Sequence, residues 1–134
     1  MANYYASART NYFLVKDIEA FTNEVEPISV ELSTKTVDDK TFVCLLSDGE
    51  GGFPWEYYEE TSDDYLEVDW DAIFVKHLQD DSVAIIIESG AEKLRFIAGV
   101  AIAFNNKGET KRVDLNDIYT LAESLGSDIT RAED

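Results

Sequence analysis

"ISVELSTKTVDDKTFVCLLS", residues 28 to 47, decides the fold class. Its first half alternates Ile28, Val30 and Leu32 with Ser29, Glu31 and Ser33, the pattern of a strand with one wet face. "TVDDK" then turns the chain, and "TFVCLLS" is continuously apolar, which predicts a strand central in a sheet. Two strands joined by so short a turn pair antiparallel.

Working outward, "NYYASARTNYFLV" carries β-favouring residues on both parities and predicts an opening strand over roughly Asn11 to Val15, or a longer one that begins earlier. Asp17 is placed to cap a helix in which Ile18, Phe21 and Val25 recur at helical spacing, and Pro27 stops it. Asp69 or Asp71 is placed to cap a second helix, whose Trp70, Ile73, Phe74 and Leu78 share a stripe. "SVAIIIES" and "LRFIAGVAIAF" read as strands joined by the turn "GAEK", and "NNKGE" makes a hairpin into "TKRVDL". Asp114 and Asp117 resemble a capping box for a third helix, with Ile118, Leu121, Ala122 and Leu125 as its buried face and Gly126 as its stop. The expected architecture is α+β. It comprises a single domain over residues 1–126, an antiparallel sheet of about five to six strands with helices on one face, and a frayed tail over 127–134.

Composition agrees with a folded domain. Of the 134 residues 45% are hydrophobic and 12% aromatic, too many for a disordered acidic segment. Cys44 is the only cysteine and His77 the only histidine, which excludes an intrachain disulfide and a zinc site built from several Cys or His ligands. The start "MANYYASART" lacks the basic and apolar regions of a secretion signal, and no apolar run approaches the roughly 18 residues of a membrane span. A soluble cytoplasmic protein without membrane contact is therefore expected.

Charge is the outlying property. Twenty-eight acids and eleven bases give a net charge of −17, and residues 41–75 hold ten of the acids and none of the bases. Such a field repels nucleic acid and anionic membranes, so no direct nucleic-acid binding is expected; it attracts basic protein surfaces over about 8 Å in physiological salt.

Enzyme chemistry finds little support in the motifs. No serine or cysteine is placed by sequence as a nucleophile for His77, and Cys44 within "FVCLL" reads as a small buried hydrophobe. "DGEGG" has the glycines of a flexible turn, but its acids would repel a phosphate and no lysine follows. Neither "DGEGG", "SDD" nor "DWD" matches the twelve-residue calcium loop. The reading is accordingly a non-catalytic protein with no metal and no cofactor. A carboxylate-dependent metal enzyme is the alternative from another class.

What remains is "DGEGGFPWEYYEETSDDYLEVDWD", residues 48 to 71, with six aromatic rings among its acids. If "WEYYEE" is extended, Glu56, Tyr58 and Glu60 point one way and Trp55, Tyr57 and Glu59 the other. Phe53 or Trp55 is expected to plug the sheet, leaving Tyr57, Tyr58 and Tyr65 exposed beside carboxylates. Arginine is the natural counterpart, since its planar fork meets a carboxylate with two hydrogen bonds and stacks on an aromatic face. The expected partner is a basic nucleic-acid-binding protein. The candidate contact residues are Asp48, Glu50, Glu56, Tyr57, Tyr58, Glu59, Glu60, Asp63, Asp64, Tyr65, Glu67, Asp69 and Asp71, on a monomer or homodimer.

With its small size, its concentrated acidity and the stretches "SARTNYFLVKD" and "DGEGGFPWEYYEE", the chain resembles the DNA-mimic inhibitors of phages and mobile elements, including anti-CRISPR and anti-restriction proteins. The resemblance implies a phage-encoded inhibitor in the cytoplasm of a bacterial host that blocks the DNA site of a nuclease or its recognition subunit. An immunity or antitoxin protein that neutralises a basic toxin nuclease would use the same electrostatics.

Overall fold

The structure, a computed structural model, describes residues 4–132. Residues 1–3, at the head of the stretch read for a secretion signal, and the last two residues of the expected tail lie outside the described residues. The elements run in the order β1 (Tyr4–Thr10), α1 (Ile18–Val25), β2 (Val30–Val37), β3 (Lys40–Ser47), β4 (Glu56–Glu59), β5 (Asp64–Glu67) and α2 (Trp70–His77). They continue through β6 (Ala84–Glu92), β7 (Phe96–Phe104), β8 (Thr110–Asp114), α3 (Asp117–Leu121) and a 3-10 turn at Ala122–Ser124. Six strands form one antiparallel sheet in the order β2-β3-β1-β6-β7-β8, and β4 and β5 form a separate hairpin. This is the expected α+β class.

Local chemistry explains the elements. Asp17 accepts a hydrogen bond from Ala20 N at 3.2 Å and Asp69 one from Ala72 N at 3.1 Å, so each N-terminal helix starts on an aspartate cap. The two-residue turn between β2 and β3 needs left-handed backbone at both central positions, and Asp38 and Asp39 supply it with φ of 51° and 64°. Aspartate tolerates that region better than most side chains.

The core lies between the sheet and the α1–α2 pair. Phe13 meets Phe21 and Phe74 edge-on at 5.7 and 5.6 Å, and Trp70 stacks on Phe74 at 5.7 Å. Val43 and Leu45 from β3, Ile86 from β6 and Phe104 from β7 supply the floor, all buried. Among the described residues the two buried polar ones, Thr10 and His77, are satisfied. The Thr10 hydroxyl accepts from Leu45 N at 2.8 Å where β1 and β3 share only the Arg9–Leu46 pair, and His77 lies edge-on to Phe21 and 3.2 Å from a Glu24 carboxylate oxygen. His77 is thus a core histidine. Cys44 is also buried, at 1% exposure.

Three expectations are corrected. The opening strand is Tyr4–Thr10 rather than Asn11–Val15, because the Asn11 side chain ends the ladder: it accepts from Ile85 N at 2.7 Å and donates to Val83 O at 3.0 Å. Beyond it Phe13 bridges to Val43 and Val15 to Leu78, and both side chains enter the core.

"GAEK" is not the turn between β6 and β7. Gly90 and Ala91 pair with Ala98 and Ile97 inside the ladder, and the turn falls at Lys93–Arg95, with Lys93 and Leu94 at φ of 57° and 60°. Gly90 is required by the close approach of β1: a Cβ there would sit 2.5 Å from Ala6 Cβ and from Tyr5 O. Gly90→Ala is therefore expected to destabilise the protein by about 1–3 kcal/mol, measurable by denaturant titration.

The third correction concerns α3. It buries no residue, and Ile118, Leu121 and Leu125 are 58%, 69% and 90% exposed. Half of the expected capping box forms, since Asp117 accepts from Asp114 N at 2.8 Å, but Asp114 accepts from Asn116 N at 2.9 Å and gives the helix no cap. With five residues, α3 is too short to lay a full apolar stripe on the sheet.

Candidate protein-binding hairpin

The acidic segment is held at its ends by apolar and backbone contacts. Phe53 is buried against Trp70 with ring centroids 5.1 Å apart, and Trp70 Nε1 donates to Pro54 O at 2.8 Å. Val68 N donates to Trp55 O at 2.8 Å and closes the base of the β4–β5 hairpin. Before it, the loop crosses β1, with Ala6 N donating to Glu50 O at 2.6 Å, and Phe53 N donates to the Glu88 carboxylate at 2.6 Å. Gly52 makes this passage possible: its φ is 100°, and a Cβ would fall 2.4 Å from Glu88 Oε1. The same carboxylate accepts from the Tyr4 hydroxyl at 2.9 Å; burial first, and then this bond to an acid, pushes the Tyr4 phenol above its ordinary pKa.

Register then sorts the side chains. Glu56 stands opposite Glu67, Tyr57 opposite Leu66, Tyr58 opposite Tyr65 and Glu59 opposite Asp64. Directly opposed residues share a face, so Glu56, Glu67, Tyr58 and Tyr65 form one side. The other side carries Tyr57, which packs against the core, with the half-buried Leu66. On the free side Tyr58 and Tyr65 are 47% and 67% exposed, with rings 5.5 Å apart in an edge arrangement. The Tyr58 hydroxyl donates to Asp63, bringing a third carboxylate to that side and raising the phenol's pKa, with smaller contributions from desolvation and Tyr65.

The candidates thus divide. Glu56, Tyr58, Asp63, Tyr65 and Glu67 come together, with Glu60 exposed in the adjoining turn. Glu59 and Asp64 oppose each other on the second side, and Asp64 accepts from Tyr65 N at 2.8 Å. Asp48 and Glu50 belong to the loop beside β1, and Asp71 to the first turn of α2. One assignment changes, Tyr57 being drawn into packing rather than left exposed; of the two rings expected to plug the sheet, Phe53 is the buried one and Trp55 is 44% exposed.

Glu67 and Asp69 also line a cleft of about 400 Å³ between α1, α2 and the hairpin, together with Glu24, Tyr57, Ile73 and Lys76. Glu24 was not among the sequence candidates. Its partners Lys76 and His77, at 3.1 and 3.2 Å, are more than fifty residues away, and no local pattern announces them. The Lys76 hydrogen bond first, and the His77 bond second, hold the Glu24 carboxyl below its ordinary 4.5, outweighing the desolvation that raises it. Because the folded value lies below the unfolded one, the contribution is complete above the ordinary value and is lost as pH falls through the lowered one. Glu24→Gln is expected to cost about 0.5–1 kcal/mol at neutral pH, with the difference vanishing under acid when both proteins are melted across pH.

Electrostatically the hairpin stands alone. Among the described residues the ion pairs are Lys76 with Glu24 and Arg112 with Asp114, with His77 against the same Glu24 oxygen, so none of the ten acids from Asp48 to Asp71 is paired with a base. Within the described residues no three of Asp, Glu, His and Cys gather as a metal cage would require, and no helix is long and apolar enough to cross a membrane. A scan against protein-family models and searches of curated proteins and solved structures found no match to this chain.

Proposed function

We propose that this protein is a non-catalytic acidic inhibitor that presents its β4–β5 hairpin to a basic nucleic-acid-binding protein and occupies that protein's DNA site. The observation that carries the reading is the free side of the hairpin: Glu56 faces Glu67 across the strands, the exposed Tyr58–Tyr65 pair follows, and Asp63 closes the row. Like charges directly opposed across a hairpin destabilise it, and departures from local rules concentrate at functional sites. A cationic partner removes that repulsion on binding. Its arginines can stack on the tyrosines and fork onto the flanking carboxylates.

Along a strand the two positions either side of Tyr58 lie roughly 13 Å apart, so the hairpin offers clustered charges and not a continuous imitation of a phosphate chain, whose charges fall every ~3.4 Å of axis per strand. Further negative charge is supplied by Glu59, Asp64, Asp69 and Asp71 on neighbouring surfaces. The resemblance to phage DNA-mimic inhibitors supports this reading over other uses of an acidic surface, and the proposed setting is the cytoplasm of a bacterial host.

The test is affinity capture from bacterial lysate with and without competing duplex DNA, followed by titration of the captured protein. DNA is expected to compete, and affinity is expected to fall by at least about tenfold between 50 and 300 mM salt. Capture indifferent to both DNA and salt would remove the hairpin's charge from the explanation.

A further inference from the structure

The cleft between α1, α2 and the base of the hairpin has two kinds of wall. Ile28, Tyr57 and Ile73, each in the core or packed against it, make one side apolar, and Tyr57 reaches it because the β4–β5 register turns that side chain inward. Carboxylates rim the rest. Val68 is 6% exposed and its N–H is tied to Trp55 O, so the residues on either side of it, Glu67 and Asp69, are turned out to the cleft; an extended segment spaces such alternate residues by roughly 6.6–6.8 Å. Glu24 completes the rim from α1.

Each of the three acids has acceptor capacity left. Lys76 and His77 both bond to one oxygen of Glu24, Oε1; Asp69 uses Oδ1 to cap α2; and Glu67 has no hydrogen-bonded or ionic side-chain partner among the described residues. Lys76 shows what such a rim can hold. From α2 it carries its ammonium across to Glu24 at 3.1 Å while its side chain stays 67% exposed, so a cationic head already sits at one edge. One base against three acids leaves the lining negative, and about 400 Å³ lies open beside it, a size typical of small-ligand pockets.

We propose that this cleft receives an arginine side chain of the partner protein, with its stem on Ile28 and Ile73 and its guanidinium on the Tyr57 ring between Glu67 and Asp69. The assignment rests on the reading of a basic partner and names the anchor that partner inserts. Lysine is the poorer match, because its ammonium is a compact and strongly hydrated point charge. The guanidinium is more weakly hydrated, carries donors on more than one edge and stacks on aromatic faces. The cleft is continuous with the hairpin through Glu67, which faces Glu56 across the strands and follows Tyr65 by two residues on the same side. A partner segment laid along Tyr58 and Tyr65 therefore arrives at the cleft, and arginines seated in pockets are among the side chains in which interface energy concentrates.

The test titrates N-acetyl-arginine amide into the isotope-labelled chain and follows its backbone amide resonances. Saturable shifts are expected at Ile28, Val68, Ala72 and Ile73 with a Kd on the order of millimolar, as a ligand of that size allows. The neutral isostere N-acetyl-citrulline amide is expected to bind at least about tenfold more weakly. Ala72 is exposed and lines the cleft, so Ala72→Phe fills the space without entering the core or altering the charge. It is expected to weaken arginine binding at least about tenfold with circular dichroism unchanged, whereas Lys76→Met, which removes the resident cation, is expected to strengthen it about threefold. Shifts centred on Tyr58 and Tyr65, equal binding of the citrulline compound, or indifference to Ala72→Phe overturns the assignment. With the captured partner, Ala72→Phe is expected to lower affinity at least about tenfold. A partner that tolerates Ala72→Phe yet is lost on Glu56→Lys with Asp63→Lys, two positions outside the cleft, overturns the anchor and leaves the hairpin reading standing; one indifferent to all three changes removes both together.

Discussion

Changing Glu56, Glu60, Asp63 and Glu67 to lysine is expected to abolish partner binding, a loss of more than about 100-fold, while the fold survives. The four side chains lie on the hairpin's free side or in its turn and contribute nothing to the core. A sharper version uses Glu67→Lys alone. It converts the Glu56–Glu67 cross-strand pair from like to opposite charge, which is worth about 0.2–1 kcal/mol to the hairpin. The single variant should therefore melt higher than the wild type and bind its partner less tightly. Thermal melts and binding titrations on the same preparations check both signs; a variant that gained stability and kept full affinity would count against the proposed contact.

The second large effect lies beneath the hairpin. Trp70→Ala removes a fully buried indole that stacks on Phe74, touches Phe53 and donates to Pro54 O. Loss of that volume is expected to cost about 3–5 kcal/mol. The thermal midpoint should fall by at least about 10 °C. Trp70→Phe restores much of the packing but not the hydrogen bond to Pro54, so comparing the two separates the cavity from the anchoring of the loop. If the anchor matters to function, Trp70→Phe weakens partner binding by more than its stability loss explains, which titration well below its melting temperature reveals.

Much of this organisation is legible in the chain itself because it is local. The Ile28–Ser47 alternation, the Asp17 and Asp69 caps and the separation of Tyr58 from Tyr57 by parity each depend on neighbours within a few residues. The misread elements are those in which a distant segment decides. Gly90 looks like a turn residue until β1 is brought against it, and Asn11 looks like strand until its amide ends the ladder at Ile85. Ile118, Leu121 and Leu125 have helical spacing but lack a surface to receive them. At the candidate site, composition locates the acids, whereas their sorting follows from the β4–β5 register, which sets Glu56 against Glu67 and sends Tyr57 inward. Glu24 joins the neighbouring cleft through contacts with α2 that no short-range pattern carries.

Cys44, sealed at 1% exposure in β3, one strand in from the sheet edge, gives the molecule a built-in clock. A thiol reagent can reach its sulfur only when the structure packed over it opens, so the pace of alkylation in native buffer reports on that opening. A ligand that binds the folded chain and not the opened form slows that clock, and the slowing can be read without knowing where the ligand sits.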